Sequence, residues 1–185
     1  MRTPRPARPA APGPGTGIPE MMRIHFAGLL ARRPLPACSL VAFLGTYFQV
    51  PVRLRPFAGQ WTAVPPPQQT RLGMEGFGIG AGAFLGERIW DQQHKVSLRL
   101  GPLTGPEFRD FLPRGRAAAA LRQIIRLHFG ELLACDLELD LRPEAVPFPR
   151  LAAAGQDAPR LGLDSWLHTR PMAGPPAPVA FRLQA

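Results

Sequence analysis

The sequence has few of the residues from which many enzyme centres are built. Its 185 residues include only three serines, two cysteines and one lysine. Cys38 and Cys135 lie far apart and match neither a CxxC metal or redox motif nor a disulfide framework, which suits a reducing compartment. Ser39, Ser97 and Ser165 lie outside any GxSxG turn, so the usual serine-hydrolase signature is absent. A small hydrolase therefore has no motif support.

Long apolar segments are also absent. The longest one, residues 37–50, contains polar residues and is too short to cross about 30 Å of hydrocarbon. No uninterrupted apolar stretch follows the basic first twenty residues, so a secretory signal is not indicated. The sequence predicts a cytoplasmic protein without membrane insertion.

Proline and glycine are abundant instead, with 24 and 19 residues, which predicts many turns and short elements. The hydrophobic content of 45% is ordinary for a globular protein, so a core can form. Residues 1–18 are rich in proline, arginine and alanine. They cannot bury enough apolar area to offset their ordering entropy, and we predict a disordered tail.

The net charge of +9 is concentrated at one end of the chain. Residues 1–60 contain eight arginines and one acid, whereas the remaining 125 residues have a balance of only +2. An arginine-rich nucleic-acid binder using residues 1–55 is therefore the alternative hypothesis, and its binding would weaken steeply with salt. The bias toward arginine, alanine, proline and glycine runs along the whole chain, so charge alone does not favour phosphate contacts.

Two amphipathic helices are predicted near the beginning of the chain. Apolar side chains recur at helical spacing at Met22, Phe26, Leu29 and Leu30. A second stripe, with Ser39 as its N-cap, comprises Leu40, Phe43, Leu44, Tyr47 and Phe48. Residues 19–60 thus read as a helical hairpin followed by a short strand at 51–57. The Pro/Gly-rich residues 61–83 read as a loop.

Residues 84–170 read as an α+β region. Val96, Leu98 and Leu100 alternate with polar residues in a strand ended by Gly101-Pro102. Thr104-Gly-Pro-Glu107 has capping-box spacing and begins a short helix. A longer helix carries an apolar stripe at Leu121, Ile124, Ile125, His128, Phe129 and Leu132. Residues 160–169 are a further strand or an extended docking segment, and residues 171–185 form a loose C-terminal tail.

A second alternating strand follows the longer helix. Its polar positions are acidic, whereas those of the first strand are basic, so Lys95 and Arg99 are predicted to face Asp136, Glu138 and Asp140. We expect the two strands to be antiparallel neighbours. The predicted fold is α+β, with short helices packed on a small, mainly antiparallel sheet and a disordered N-terminal tail.

Other candidate chemistry has simpler explanations. Strict alternation of acids on one strand is what a solvated face produces, and metal sites draw ligands from converging elements. Residues 78–83 loosely satisfy GxGxxA but lack the flanking strand and the distal acid of a dinucleotide site. His128 lies on an apolar stripe and reads as a packed, hydrogen-bonded core residue. We predict no catalytic residue, no cofactor, no metal and no small-molecule substrate.

The three tryptophans leave two roles open. Trp61, Trp90 and Trp166 each lie beside polar or turn residues. Core packing is the usual role of tryptophan, whereas partly exposed ones anchor interfaces disproportionately.

Several segments match, in the same order, the sequence pattern of a known protein family. Residues 84–103 read FLGERIWDQQHKVSLRLGPL. They resemble the segment G-x-R-hydrophobic-W-D-x-Q-x-K, followed by an alternating strand and G-P-L, of the TssG family of type VI secretion baseplates. Similar matches are FRDFLPRG (108–115), DLELDLRPEAVPFPRL (136–151), LGLDSWL (161–167), and upstream AGLLARRP (27–34) and YFQVPVRLRPFAGQW (47–61). The resemblance covers about residues 21–170. Its structural or interface candidates are Arg88, Trp90, Asp91, Gln93, Lys95, Trp61, Ser165 and Trp166.

The resemblance implies a structural role. TssG subunits join two copies of TssF into a wedge, attach TssK trimers, and help build a baseplate at the cytoplasmic face of the inner membrane. That baseplate primes polymerisation of a contractile sheath and tube, and needs no catalytic residue. Family members carry a substantial N-terminal half where this chain has its Pro/Arg tail, so an N-terminally truncated form is expected. Residues 62–83 fit the family pattern poorly.

Overall fold

The computed structural model describes residues 36–71, 84, 86–130, 133–150, 159–170, 172 and 174–183. The predicted tail over residues 1–18 and the predicted helix over residues 22–30 lie outside this part. So do residues 72–83, which contain the GxGxxA stretch.

Three helices and six strands make up the described part. The helices are α1 (Ala37–Phe48), α2 (Gly105–Phe111) and α3 (Arg116–Phe129). The strands are β1 (Val52–Arg55), β2 (Gln60–Ala63), β3 (Arg88–Asp91), β4 (Lys95–Leu103), β5 (Ala134–Leu141) and β6 (Val179–Leu183). Short 3-10 turns occupy Pro66–Gln68 and Pro143–Ala145.

The strands form two separate sheets. One has four strands in the order β1-β4-β5-β6, and the other pairs β2 with β3. In the larger sheet the β1–β4 and β5–β6 pairs are antiparallel and the β4–β5 pair is parallel. The predicted class, α+β with a mainly antiparallel sheet, is confirmed.

The predicted antiparallel pairing of β4 with β5 is wrong. The two strands are neighbours, as expected, but they run in the same direction with Leu98 beside Leu137. The connection between them contains α2 and α3. A crossover of this length returns the chain to the start of the next strand, which is what parallel pairing requires.

The helices cover one face of the larger sheet. Alternate residues of β4 and β5 supply the sheet side of the core: Val96, Leu98, Leu100, Cys135, Leu137, Leu139 and Leu141. The helices add Leu40, Phe43, Leu44, Phe108, Phe111, Leu121, Ile124 and Ile125 to the same cluster. Because strand side chains alternate between faces, the opposite face receives the polar residues.

Helix boundaries follow local chemistry, with one difference from expectation. The Thr104 backbone N–H donates to Glu107 Oε2 at 2.9 Å, so the capping contact predicted for α2 is present. Helix α1 instead begins at Ala37 after Pro36, and Ser39 lies buried inside its first turn. The prediction of Ser39 as N-cap is therefore wrong, because Pro36 already supplies the extended residue that precedes the helix.

Strands extend into three places where the sequence predicted none. Gly101-Pro102 does not end β4, which continues to Leu103 with a register shift after Leu100. The predicted 61–83 loop overlaps β2 and the turn at Pro66–Gln68. The C-terminal stretch 171–185, predicted to be loose, contains β6, whose Leu183 is buried and lies beside Cys135.

Candidate functional site

The smaller sheet is a two-stranded ribbon that exposes two tryptophans. Trp61 lies directly opposite Trp90, and Ala63 lies opposite Arg88, so alternation places these four residues on one face. We call this surface the tryptophan face. The two indole rings meet edge to face with centroids 5.3 Å apart. Their side chains remain largely in solvent, since Trp61 is 64% and Trp90 53% exposed.

Gly59 lets the Trp90 ring lie against the backbone. A Cβ added at residue 59 would lie 1.9 Å from Trp90 Cζ2, so any other residue there would displace the indole ring. Trp90 is therefore held between the backbone at Gly59 and the ring of Trp61.

Asp91 organises the turn that leads from β3 into β4. The Gln93 backbone N–H donates to Asp91 Oδ1 at 2.9 Å, and Gln60 Nε2 donates to Oδ2 at 3.2 Å. His94 Nδ1 lies 3.1 Å from Oδ1. These bonds, led by the one from the Gln93 backbone, lower the pKa of Asp91 to about 2. The carboxylate is thus a charged turn anchor and not a proton donor near neutral pH.

Lys95 ties the ribbon to the larger sheet. Its Nζ lies 2.5 Å from Asp136 Oδ2 and reaches the Gly59 carbonyl oxygen at 3.5 Å. Arg182 of β6 donates to Gln60 Oε1 at 2.9 Å and lies 3.7 Å from Asp136. The predicted pairing of Lys95 and Arg99 with the acids of β5 is confirmed, since Arg99 Nε bonds Asp140 at 2.6 Å. These contacts fix the ribbon over one end of the polar face of the sheet.

Ser165 and Trp166 lie elsewhere, in the segment that follows Arg160. Ser165 Oγ donates to the Arg160 carbonyl oxygen at 3.0 Å, and Arg160 Nη2 pairs with Asp164 at 2.8 Å. Trp166 is half-buried and packs on Phe108 with ring centroids 5.7 Å apart. Of the two alternatives for residues 160–169, the strand is not formed; the segment is a turn followed by extended chain, and its docking role stays a prediction.

The eight candidate residues therefore separate into two groups. Trp61, Trp90 and Arg88 share the tryptophan face, and Asp91, Gln93 and Lys95 support it from the turn and the sheet. Trp166 packs on α2, and Ser165 belongs to the turn that precedes it. Sequence reasoning missed Leu161 and Leu167, which are 95% and 98% exposed, because leucine in a short segment gives no signal of exposure.

The described residues offer little for other chemistry. Among them, no group of three His, Cys, Asp or Glu side chains is placed to hold a metal ion. Burial raises the pKa of the Cys135 thiol to about 12. Burial also lowers the pKa of His128, which packs edge to face on Phe129 at 4.7 Å. Its Nε2 has no hydrogen-bond partner in the described structure. His128 is therefore packed, as predicted, but the predicted hydrogen bond is not seen at this nitrogen.

No helix in the described ranges is long and apolar enough to cross a membrane. Apolar helices here are short and face the core.

Comparison with known proteins gives one family. The family model described as "Type VI secretion, TssG" matches residues 7–168. Among solved structures, the chain is similar to a chain of the type VI secretion system TssK-TssF-TssG baseplate subcomplex seen by cryo-electron microscopy. The TM-score is 0.75 at 20% identity, over 91% of this chain and 70% of that one. No curated protein sequence matches significantly.

A chain of the type VI secretion baseplate complex is also similar. Its TM-score is 0.59 at 18% identity, over 88% of this chain and 47% of that chain. At these identities the structural likenesses establish a shared fold. Family membership follows from the sequence match over most of the chain.

Proposed function

Because the chain belongs to the TssG family of type VI secretion, we propose that it is a structural subunit of the secretion baseplate. The observation that carries this proposal is the family match over residues 7–168. The shared fold with a chain of the TssK-TssF-TssG subcomplex adds support. In this role the chain supplies binding surfaces and has no catalytic activity.

The partners follow from the same premise. The chain bridges TssF-like and TssK-like subunits in a baseplate wedge, at the cytoplasmic face of the inner membrane, and supports assembly of the contractile sheath and tube. The solved subcomplex contains TssK, TssF and TssG together, which supports this choice of partners.

The tryptophan face is the interface that we assign to this role. Interface hot spots are enriched in tryptophan and arginine, and this face presents Trp61, Trp90 and Arg88 side by side. The contact with Gly59 and the bonds around Asp91 hold the ribbon in place. A surface that is already ordered loses little conformational entropy on binding, so more of the contact energy appears as affinity.

Co-expression tests the proposal. The full chain is produced alone and together with the TssF-like and TssK-like proteins of the same organism, and the products are separated by size-exclusion chromatography with light scattering. We expect co-elution in a complex of fixed stoichiometry. A full-length chain that stays monomeric and binds neither protein would contradict the proposal.

A further inference from the structure

The face of the larger sheet that points away from the helices is charged from edge to edge. Strand registers and alternation place these side chains together: Arg53, Arg55, Lys95, Ser97, Arg99, Asp136, Glu138, Asp140 and Arg182. We call this surface the charged face. The ribbon contacts its Lys95 and Arg182 end, through Gly59 and Gln60.

All three acids of the charged face are already used within the sheet. Lys95 and Arg182 both contact Asp136, and Arg99 binds Asp140 through two nitrogens, at 2.6 and 2.9 Å. Gly101 permits the last contact, because a Cβ there would lie 2.5 Å from Asp140 Cβ.

Glu138 serves the middle of the face in the same way. It accepts a hydrogen bond from Ser97 Oγ at 2.5 Å. The short Ser97 side chain also lets Arg55 reach across β4 to Glu138 at 3.3 Å. Each acid of the charged face thus already has a cationic partner, and the face carries five cations against three acids.

The surplus of positive charge lies on β1. Arg53 stands directly opposite Arg99 in the antiparallel β1–β4 pair, and like charges in that position destabilise a sheet. Arg99 is neutralised by Asp140, but Arg53 is exposed and has no carboxylate partner among the described residues. Arg55 has a single contact with Glu138 and a side chain that is 72% exposed.

We propose that Arg53, Arg55 and Arg99 form a docking row for an acidic segment of a partner protein. The inference rests on the proposed function, since the partner would be another baseplate subunit. The carboxylates of such a segment would neutralise Arg53, complete the pairing of Arg55, and remove the repulsion between Arg53 and Arg99. Side chains make the contact, because prolines at 51 and 56 flank the four-residue strand β1 and oppose addition of another strand.

An acidic protein segment fits the row better than a nucleic acid does. Glu138 and Asp140 lie among the arginines and would repel a continuous run of phosphates. A protein can place a few carboxylates beside Arg53 and Arg55 and leave the two acids uncovered. Charge complementarity of this kind sets specificity and association rate.

The test compares two charge reversals in the full chain. Arg53→Glu leaves every observed ion pair in place and puts an opposite charge beside Arg99, so it should fold normally. Arg114→Glu is the control, since Arg114 is also exposed but lies between α2 and α3. We measure the Kd of each variant for purified TssF-like and TssK-like proteins at several salt concentrations, and check folding by circular dichroism.

We expect Arg53→Glu to weaken binding to one partner at least about tenfold and to reduce the salt dependence of that Kd. Arg114→Glu should bind like the wild type. Equal binding by the wild type and both folded variants would overturn the docking row and leave the proposed function intact. A wild type that binds neither protein would overturn the proposed function itself.

A separate assay tests nucleic acid as the competing ligand. Wild type and Arg53→Glu are titrated with a duplex DNA oligonucleotide at physiological salt. Tight, salt-sensitive binding by the wild type that is lost in Arg53→Glu would overturn the inference and assign the row to nucleic acid.

Discussion

Trp61 and Trp90 meet edge to face in solvent, whereas Trp166 packs on Phe108 in the helical layer. The difference arises from what lies behind each ring. None of the helices in the described residues lies over the outer face of the two-stranded ribbon, and both of its tryptophans are exposed. The extended chain at Trp166 lies on α2 and gains apolar cover. The two environments predict opposite consequences for the same substitution.

Trp61→Ser should lower affinity for a baseplate partner by about tenfold or more, because exposed aromatic anchors often dominate interface energies. The stability of the Trp61→Ser variant should differ little from that of the wild type. Trp166→Ser should instead lower the free energy of unfolding by about 2–4 kcal/mol through lost packing. Urea unfolding and partner Kd values for both variants check this pair. Equal loss of stability in the two variants would contradict the assignment of Trp61 to an interface.

Gly59→Ala tests how Trp90 is held. The added methyl group cannot share space with the indole, so Trp90 should leave its place on the backbone and become more exposed. We expect a red shift of tryptophan emission and weaker partner binding with the overall fold retained. Gly174→Ala is the matched control, because a Cβ at that position meets nothing within 4 Å. An unchanged spectrum in Gly59→Ala would mean that the ring is not fixed there.

At the scale of elements, the turn between β3 and β4 depends on a charged Asp91. Its pKa lies at about 2, below the usual 3.8. A carboxyl with a depressed folded pKa stabilises the folded state above its unfolded pKa and loses that contribution as pH falls through the folded value. Wild type should therefore be more stable than Asp91→Asn at pH 5, and the difference should shrink between about pH 4 and 2. Thermal unfolding of both proteins across this pH range measures the difference in stability. A difference that does not change with pH would contradict the role of the charge.

Elements with strong local periodicity could be predicted from the sequence. The apolar alternation that ends in Leu100 and Leu141 identified β4 and β5, and the stripe from Leu121 to Ile125 identified α3. Alternation did not indicate the direction of β4 relative to β5, because it is the same in parallel and antiparallel strands. The two helices predicted between them were the signal for a parallel crossover, and the antiparallel prediction did not use it. The charge pairs were predicted correctly because both arrangements place the same faces together.

The ribbon was harder to predict. β2 and β3 contain four residues each, and β2 is followed by three consecutive prolines, which is typical of a loop. Their pairing joins segments far apart in the chain, and no local pattern records such a contact. The resemblance therefore pointed to Trp61 and Trp90 as candidates, but their meeting on one face required the structure.

At the scale of the whole molecule, β6 closes the larger sheet. The sequence after residue 170 is rich in proline and alanine, which predicted a loose tail, yet five of its residues pair along β5. Leu183 is buried against the core, and Arg182 reaches both Asp136 and Gln60. This one strand thus joins the core, the charged face and the ribbon.

A chain ended after Pro178 should therefore lose far more than a tail. Removing β6 exposes the edge of β5, strips cover from Cys135 and Leu137, and frees Asp136 and Gln60 from Arg182. Newly exposed strand edges promote association between chains. We expect a shortened protein that is largely aggregated on size-exclusion chromatography and that unfolds without a cooperative transition. A chain lacking only residues 184–185 is the control and should behave like the full length. If the shorter chain unfolded cooperatively with the same midpoint temperature as the full-length chain, β6 would not support the sheet. These residues would then form the loose tail that their composition predicts.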